Sequence, residues 1–283
     1  MHDILILLRI ELKRLFKSKL FYVSLFIGLA LSVGGFIECA KPHLNITNGF
    51  NGGVETYPFS VFNSWMGMFM GLKPISTSYL YIFMLLAALP YCGFFCRDNK
   101  NQYILQYYSR MSKNKIHAAR FIATFISGGL VTMLPLLLNL CATMMFIPAL
   151  KPSGNGLFIH SGAYIMGNFF CEHPLIYVLI YVLQFFIYGG SFALVSLAVS
   201  FFIDNTFLVI ISPFVTYYGL GIISTLCKSV MNIYSFNPMA LLSPATKLQD
   251  GMLFAYICEP IIICVICGLS LIHISEPTRR TPI

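Results

Sequence analysis

Six long apolar runs, separated by shorter polar stretches, dominate the pattern of hydrophobic and polar positions along the chain. A helix needs about 20 mostly apolar residues to cross the hydrocarbon core of a bilayer. The runs therefore predict six membrane-spanning helices, called spans 1 to 6 below. Their predicted bounds are residues 20–39, 79–96, 121–150, 174–203, 206–227 and 252–272.

Two of these runs contain a local interruption. Spans 4 and 5 form one apolar tract that is broken only by Asp204 and Asn205. The tract is too long for a single crossing, and an Asp beside an Asn favours a tight polar turn. We therefore predict a helical hairpin there. Span 2 contains Pro90, which predicts an interruption of that helix.

Composition supports the membrane assignment. Hydrophobic residues make up 58% of the chain and charged residues 10%, against roughly 25% charged in a typical soluble domain. These values exclude a soluble globular protein and a disordered one. Nine cysteines, most of them inside apolar runs, do not indicate a disulfide scaffold. The prediction is an all-α polytopic membrane protein with a single domain over residues 1–272.

The positions of the basic residues predict the topology. With the N-terminus inside, eleven Lys and Arg side chains fall in cytoplasmic segments before span 6, and five fall outside. Cytoplasmic loops of membrane proteins carry such an excess of positive charge. We therefore expect both termini to be cytoplasmic, in a multi-pass protein of the bacterial plasma membrane. The basic residues orient the chain in the lipid bilayer, and they do not predict a nucleic-acid partner.

The stretch before span 1, residues 3–19, has the periodicity of an amphipathic helix. Leucines recur on one face and cations on another: Leu5, Leu8, Leu12 and Leu15 against Arg9, Lys13 and Lys17. A basic amphipathic helix of this kind lies in the membrane interface, where anionic lipid attracts it. The alternative is a simple charged lead-in to the first span.

The loop between spans 2 and 3, residues 97–120, mixes basic residues with apolar and tyrosine side chains. A basic loop can serve only as a determinant of topology. The tyrosines favour a second interpretation, in which a short helix lies under the membrane or docks on a partner. The residues in question are Asp98, Tyr103, Tyr107, Tyr108, Ser109, Arg110 and Lys115.

This arrangement resembles the permease subunits of ABC-2 type exporters. That family has six spans, an interfacial N-terminal helix and a first cytoplasmic loop that carries the coupling helix, which docks on the nucleotide-binding subunit. By this resemblance Asp98 takes the acidic position, where the family more often has Glu, and residues 103–108 take the apolar helical stretch. Ser109 and Arg110 take the turn, and Lys115 takes the basic position before span 3.

The resemblance implies a permease subunit without catalytic activity of its own. A separate ABC ATPase subunit would bind and hydrolyse ATP, and a second copy or a related permease would complete the path. The sequence contains no GxxxxGK[ST] phosphate loop and predicts no cofactor on this chain. Two alternatives stay open: a stand-alone secondary transporter, and a non-transporting membrane scaffold or immunity protein.

Two carboxylates lie in or near the spans. Ionisable residues inside membranes are costly and are functional candidates by default. Glu38 falls at the outer end of span 1, and Glu259 falls inside span 6 beside Pro260. We predict Glu259 as a residue of the translocation path. The alternative is a protonated carboxyl group, or one that reaches the interface.

Uncharged polar and small residues in the spans predict helix packing. Asn139 and Gln184 are expected to form interhelical hydrogen bonds, and Gly189 and Ala193, four residues apart, to allow close approach of another helix.

The chain ends in a polar basic segment, HISEPTRRTPI. It resembles a peptide translated from sequencing-adapter DNA, so we expect residues 273–283 to be non-native and leave them out of the topology.

Overall fold

The computed structural model describes residues 2–40, 60–101, 112–152, 165–231, 236–244, 246 and 252–275. Within these ranges the protein is all-helical and contains no strand. Six of the described helices are long and apolar enough to cross a membrane, which confirms the predicted number of spans and indicates a multi-pass membrane protein. Spans 1 to 6 are Lys19–Cys39, Pro74–Lys100, Lys113–Phe146, Pro174–Val199, Thr206–Met231 and Met252–Ser275. An N-terminal helix, His2–Phe16, precedes them. The orientation of the termini stays a prediction.

Spans 2 and 3 extend well beyond their predicted bounds. Span 2 continues to Lys100 and span 3 already begins at Lys113, so the predicted loop 97–120 is largely helical at both ends. An apolar run in the sequence identifies only the part of a helix that lies in the hydrocarbon core of the bilayer. The backbone hydrogen bonds of the helix continue through the polar residues on either side of that part. As a consequence, Asp98 and Arg120 are helical residues.

The predicted interruption at Pro90 is wrong, because span 2 is one helix through this residue. Pro135, Pro213 and Pro260 also lie inside helices. Proline is tolerated in membrane helices where neighbouring groups satisfy the freed carbonyl. At Pro135 the hydroxyl of Ser32 in span 1 donates to the proline's own carbonyl at 2.8 Å, which joins spans 1 and 3 at this level.

Span 4 is the central helix of the bundle. In its most apolar segment 72% of the residues are buried inside the protein, against 17% for span 5. Its aromatic side chains fill the core: Phe185 packs edge-on against Phe83 of span 2 at 5.3 Å, and Phe192 packs against Tyr217 of span 5 at 5.5 Å. A helix that is apolar on all sides is expected at such a buried position.

Spans 3 and 4 approach each other closely through small residues. A side chain added to Gly128 of span 3 would place its Cβ 2.5 Å from the Cβ of Ala193 and 2.8 Å from the carbonyl oxygen of Gly189. Thr132 donates across the same seam to the carbonyl of Phe185 at 2.9 Å. The predicted packing role of Gly189 and Ala193 is therefore confirmed, and Gly128 is their partner.

Other predicted local features also occur. Span 4 ends at Val199 and span 5 begins at Thr206, which confirms the helical hairpin, and the side chain of Asn205 accepts from the Phe207 amide at 3.0 Å. Gln184 donates to the Tyr256 carbonyl at 2.6 Å, joining spans 4 and 6 as expected.

Short helices join the spans at the end of the bundle away from the N-terminal helix. They are Val61–Ser64, the 3-10 turn Met66–Phe69, Gly167–Glu172 and Pro238–Leu241. Asn139 of span 3 accepts from the Met66 amide at 2.9 Å and donates to the Ser32 carbonyl at 2.8 Å. These bonds confirm the interhelical role predicted for Asn139. Trp65, between two of the short helices, is buried against Tyr181.

Candidate functional site

The N-terminal helix packs on the start of span 3 through one face. Leu7, Glu11 and Leu15 follow one another at intervals of four residues, and all three are buried. This interval keeps side chains on the same face of a helix. Glu11 therefore lies in the middle of an apolar stripe and points into the bundle. Arg9 and Lys13 are exposed on the outward face.

Apolar side chains also occur on the exposed surface of this helix. Leu5, Ile6, Ile10 and Phe16 are exposed, although Leu8 and Leu12 are partly buried. An amphipathic helix in the membrane interface presents such residues to lipid. The structure thus gives the N-terminal helix two apolar surfaces, one against the protein and one facing outward.

Two arginines and two carboxylates meet where the N-terminal helix reaches spans 2 and 3. Asp98 accepts from Arg14 Nη2 at 2.7 Å and Nη1 at 3.1 Å, and from Arg120 Nη2 at 2.9 Å. Glu11 accepts from Arg120 Nε at 3.3 Å and from the Tyr91 hydroxyl at 3.0 Å. We call these five residues the ion cluster. Its formal charges cancel.

The ion cluster is almost completely withdrawn from solvent. Arg120 is 1% exposed, Glu11 3% and Asp98 4%. Removing such ions from water costs several kcal/mol each, and only good geometry with further hydrogen bonds repays the cost. Here each carboxylate is held by both arginines, and the Asp98 pair with Arg14 is bidentate.

Arg14 occupies the partly open edge of the ion cluster. Burial by itself lowers the pKa of its guanidinium group, but the hydrogen bonds with Asp98 and the charge of Glu11 outweigh this, so the pKa lies above its ordinary value. The guanidinium carbon also lies 5.2 Å from the centre of the Phe94 ring. Arg14 is therefore held as a cation between span 2 and the N-terminal helix.

The predicted coupling residues are found in different surroundings. Asp98, predicted in the cytoplasmic loop between spans 2 and 3, is buried in the ion cluster. Lys115 lies in the first turn of span 3 and is half-buried. The remaining five, Tyr103, Tyr107, Tyr108, Ser109 and Arg110, lie outside the described residues. The coupling role of all seven stays a prediction.

Among the five members of the ion cluster, sequence reasoning singled out only Asp98. Arg14 and Arg120 were counted only as basic residues, and Glu11 and Tyr91 were not singled out. One signal was available for Glu11, because a lone carboxylate between Leu7 and Leu15 is out of place on an apolar helical stripe. No comparable signal marks Arg120, since a basic residue at the start of a span is common.

Glu259 lies in the seam between spans 4 and 6. Its Oε2 accepts from the hydroxyl of Tyr188 at 2.9 Å, and Tyr188 is fully buried. The other oxygen, Oε1, is buried and forms no hydrogen bond within the described part of the chain. One turn away, Ser191 contacts the Pro260 carbonyl and the Cys264 thiol, each at 3.3 Å. The seam is therefore polar although it is surrounded by apolar helices.

We expect Glu259→Gln to keep the stability of the protein within about 0.5 kcal/mol, because the amide oxygen still accepts from Tyr188. Glu259→Leu should cost about 1–3 kcal/mol, since it leaves the buried Tyr188 hydroxyl without an acceptor. Thermal unfolding in detergent measures both, with Glu172→Leu at an exposed position as the control. Equal stability of the two Glu259 variants would contradict a structural hydrogen bond here.

Glu38, the second carboxylate predicted as a candidate, caps a helix. Its Oε2 accepts from the backbone amides of Ile75 and Ser76, each at 3.2 Å, in the first turn of span 2. Lys73 donates to the Glu38 carbonyl at 2.9 Å. A carboxylate satisfies the orphan amides of a helix N-terminus and complements the helix dipole. Glu38 therefore connects span 1 to the start of span 2.

Among the residues that the structure describes, no three His, Cys, Asp or Glu side chains come together as metal ligands. The chain matches none of the protein-family models, curated proteins or solved structures with which it was compared.

Proposed function

We propose that this chain is the membrane subunit of an ATP-driven ABC-2 type exporter. Two copies, or this chain with a related permease, form the path, and a separate ATPase docks on the connection between spans 2 and 3. The proposal is supported by the six spans, the N-terminal amphipathic helix and the position of the basic, tyrosine-containing connection. The single observation that carries it is the ion cluster, which links that connection to the rest of the bundle.

The position of the ion cluster allows it to transmit movement from the connection between spans 2 and 3 to other helices. Asp98 lies two residues before the end of span 2, and Arg120 lies seven residues, or about 10 Å, after the start of span 3. Both bind side chains of the N-terminal helix. A displacement of the connection by an ATPase therefore moves the ends of two spans and the N-terminal helix together. In this proposal ATP is bound and hydrolysed by the partner, while this chain transmits the movement.

Glu259 belongs to the same proposal as a residue of the path. It offers a buried oxygen without a hydrogen-bond donor, within the described residues, between two spans. The same observation favours a second candidate function, a stand-alone secondary transporter, because such proteins place ionisable groups between membrane helices. The two functions differ in whether an ATPase accompanies the chain.

The first experiment is gentle extraction of the affinity-tagged chain from its native host, followed by mass spectrometry of the co-purifying proteins. We expect a soluble ATPase in stoichiometric amount. The double variant Tyr107→Ala/Tyr108→Ala should lose most of it, because the two aromatic side chains are the apolar anchors of the docking segment. The matched control is Tyr81→Ala/Tyr218→Ala, which removes a tyrosine pair from the surface of spans 2 and 5.

Retention of the ATPase by a well-folded Tyr107/Tyr108 double variant would contradict the docking role of these tyrosines. Absence of any ATPase from the wild-type protein would instead favour the secondary transporter or a non-transporting scaffold.

A further inference from the structure

A cavity of about 480 Å³ lies where the N-terminal helix turns into span 1, against the neighbouring turn of span 2. This volume is within the range of small-ligand sites, about 300–1,000 Å³. Its lining includes three cations and three apolar side chains: Arg14, Lys17, Lys19, Leu20, Pro90 and Phe94. We propose that this cavity binds the headgroup of one anionic phospholipid, with Lys17 and Lys19 on the phosphate and the acyl chains along Leu20.

The charges around the cavity are not balanced. Arg14 is compensated by Asp98 and Glu11 in the ion cluster. Lys17 and Lys19 are exposed, and no carboxylate of the described residues forms an ion pair with either. Two positive charges therefore remain for an external anion. A phosphodiester of an anionic lipid complements them, whereas a zwitterionic headgroup carries its own cation.

The apolar lining selects a lipid over a soluble anion. Leu20 begins the apolar part of span 1 and is 41% exposed, and Phe94 of span 2 lines the same cavity. Inorganic phosphate gains no binding free energy from contact with these apolar surfaces. The first methylene groups of an acyl chain gain binding free energy there, because the contact removes them from water.

The depth of the cavity also fits a headgroup. The chain bends between Phe16 and Lys19, where the Tyr22 hydroxyl donates to the Phe16 carbonyl at 2.9 Å. A bend between an interfacial helix and a span lies at the level of lipid phosphates. The lipid site does not depend on the proposed transport function.

The test uses the full-length purified chain in a mild detergent and native mass spectrometry with added phosphatidylglycerol or phosphatidylcholine. One variant is Lys17→Gln/Lys19→Gln. The matched control is Arg9→Gln/Lys13→Gln, which removes the same charge from exposed positions of the N-terminal helix outside the cavity. We expect the wild type and the control to retain one phosphatidylglycerol, and the Lys17/Lys19 variant to bind it about tenfold to thirtyfold more weakly.

Three results would overturn the proposal. Equal loss of phosphatidylglycerol in both double variants would indicate attraction to overall charge without a site. Equal retention of phosphatidylcholine by the wild type would remove the need for an anionic headgroup. Displacement of the lipid by millimolar inorganic phosphate would point to a soluble anion. Thermal unfolding checks that each variant is folded, and added phosphatidylglycerol should raise the midpoint of the wild type and of the control only.

Discussion

Replacing Arg120 with leucine is expected to cost about 3–5 kcal/mol of folding stability, the loss found when one partner of a buried ion pair is removed. The side chain is 1% exposed and donates to both Glu11 and Asp98. Without it, Arg14 is the one cation among the described residues that still pairs with the two buried carboxylates. A lower midpoint of thermal unfolding in detergent and a lower yield of monodisperse protein would measure the effect.

A double variant distinguishes the stability lost through unbalanced charge from the stability lost through poorer packing. In Arg120→Gln/Asp98→Asn one cation and one carboxylate are removed together, so part of the loss should be recovered relative to Arg120→Gln alone. The control Lys13→Leu removes an exposed cation from the N-terminal helix and should change stability by no more than about 0.5 kcal/mol. If Arg120→Leu unfolds at the same temperature as Lys13→Leu, the ion cluster does not hold these helices together.

Gly128→Val should be strongly destabilising, with a cost near the upper end of the usual overpacking range, about 3 kcal/mol. The new Cβ would lie 2.5 Å from the Cβ of Ala193 and 2.8 Å from the backbone oxygen of Gly189. A backbone atom cannot swing aside as a flexible side chain does, so spans 3 and 4 must separate. Gly128→Ala should give a smaller loss in the same unfolding experiment.

Gly219→Val is the matched control, because within the described part of the chain no atom outside its own helix backbone lies within 4 Å of the position that its Cβ would take. Valine is a slightly better helix former than glycine, so stability should stay equal or rise by a few tenths of a kcal/mol. A similar loss in both valine variants would mean that the branched side chain itself, and not the close approach of spans 3 and 4, is responsible.

Most of the architecture could be predicted because its signals are local. Six apolar runs gave six helices, and Asp204-Asn205 gave the hairpin between spans 4 and 5. The ends of spans 2 and 3 could not be placed in this way, since a helix continues through polar residues once its backbone bonds are made. For that reason the sequence predicts Asp98 in the cytoplasmic loop after span 2, whereas the structure has it buried in the last part of that helix.

The candidate site was predicted only in part. Glu259 was singled out, because a carboxylate within an apolar run is conspicuous, but its partner Tyr188 was not. Tyrosine is common in membrane proteins. The sequence alone does not indicate which tyrosine hydroxyl lies next to a carboxylate.

The sequence by itself therefore determined the class of the protein, the number of spans and the amphipathic character of the N-terminal helix. Each follows from hydropathy or periodicity within some 20 consecutive residues. Only the tertiary structure decided that Glu11 meets Arg120, 109 positions away, and that Gly128 faces Gly189. Such pairs depend on which faces of the helices pack together. The packing is determined by how well the shapes of the side chains fit and by the need to pair buried charges, and both involve residues from the whole bundle.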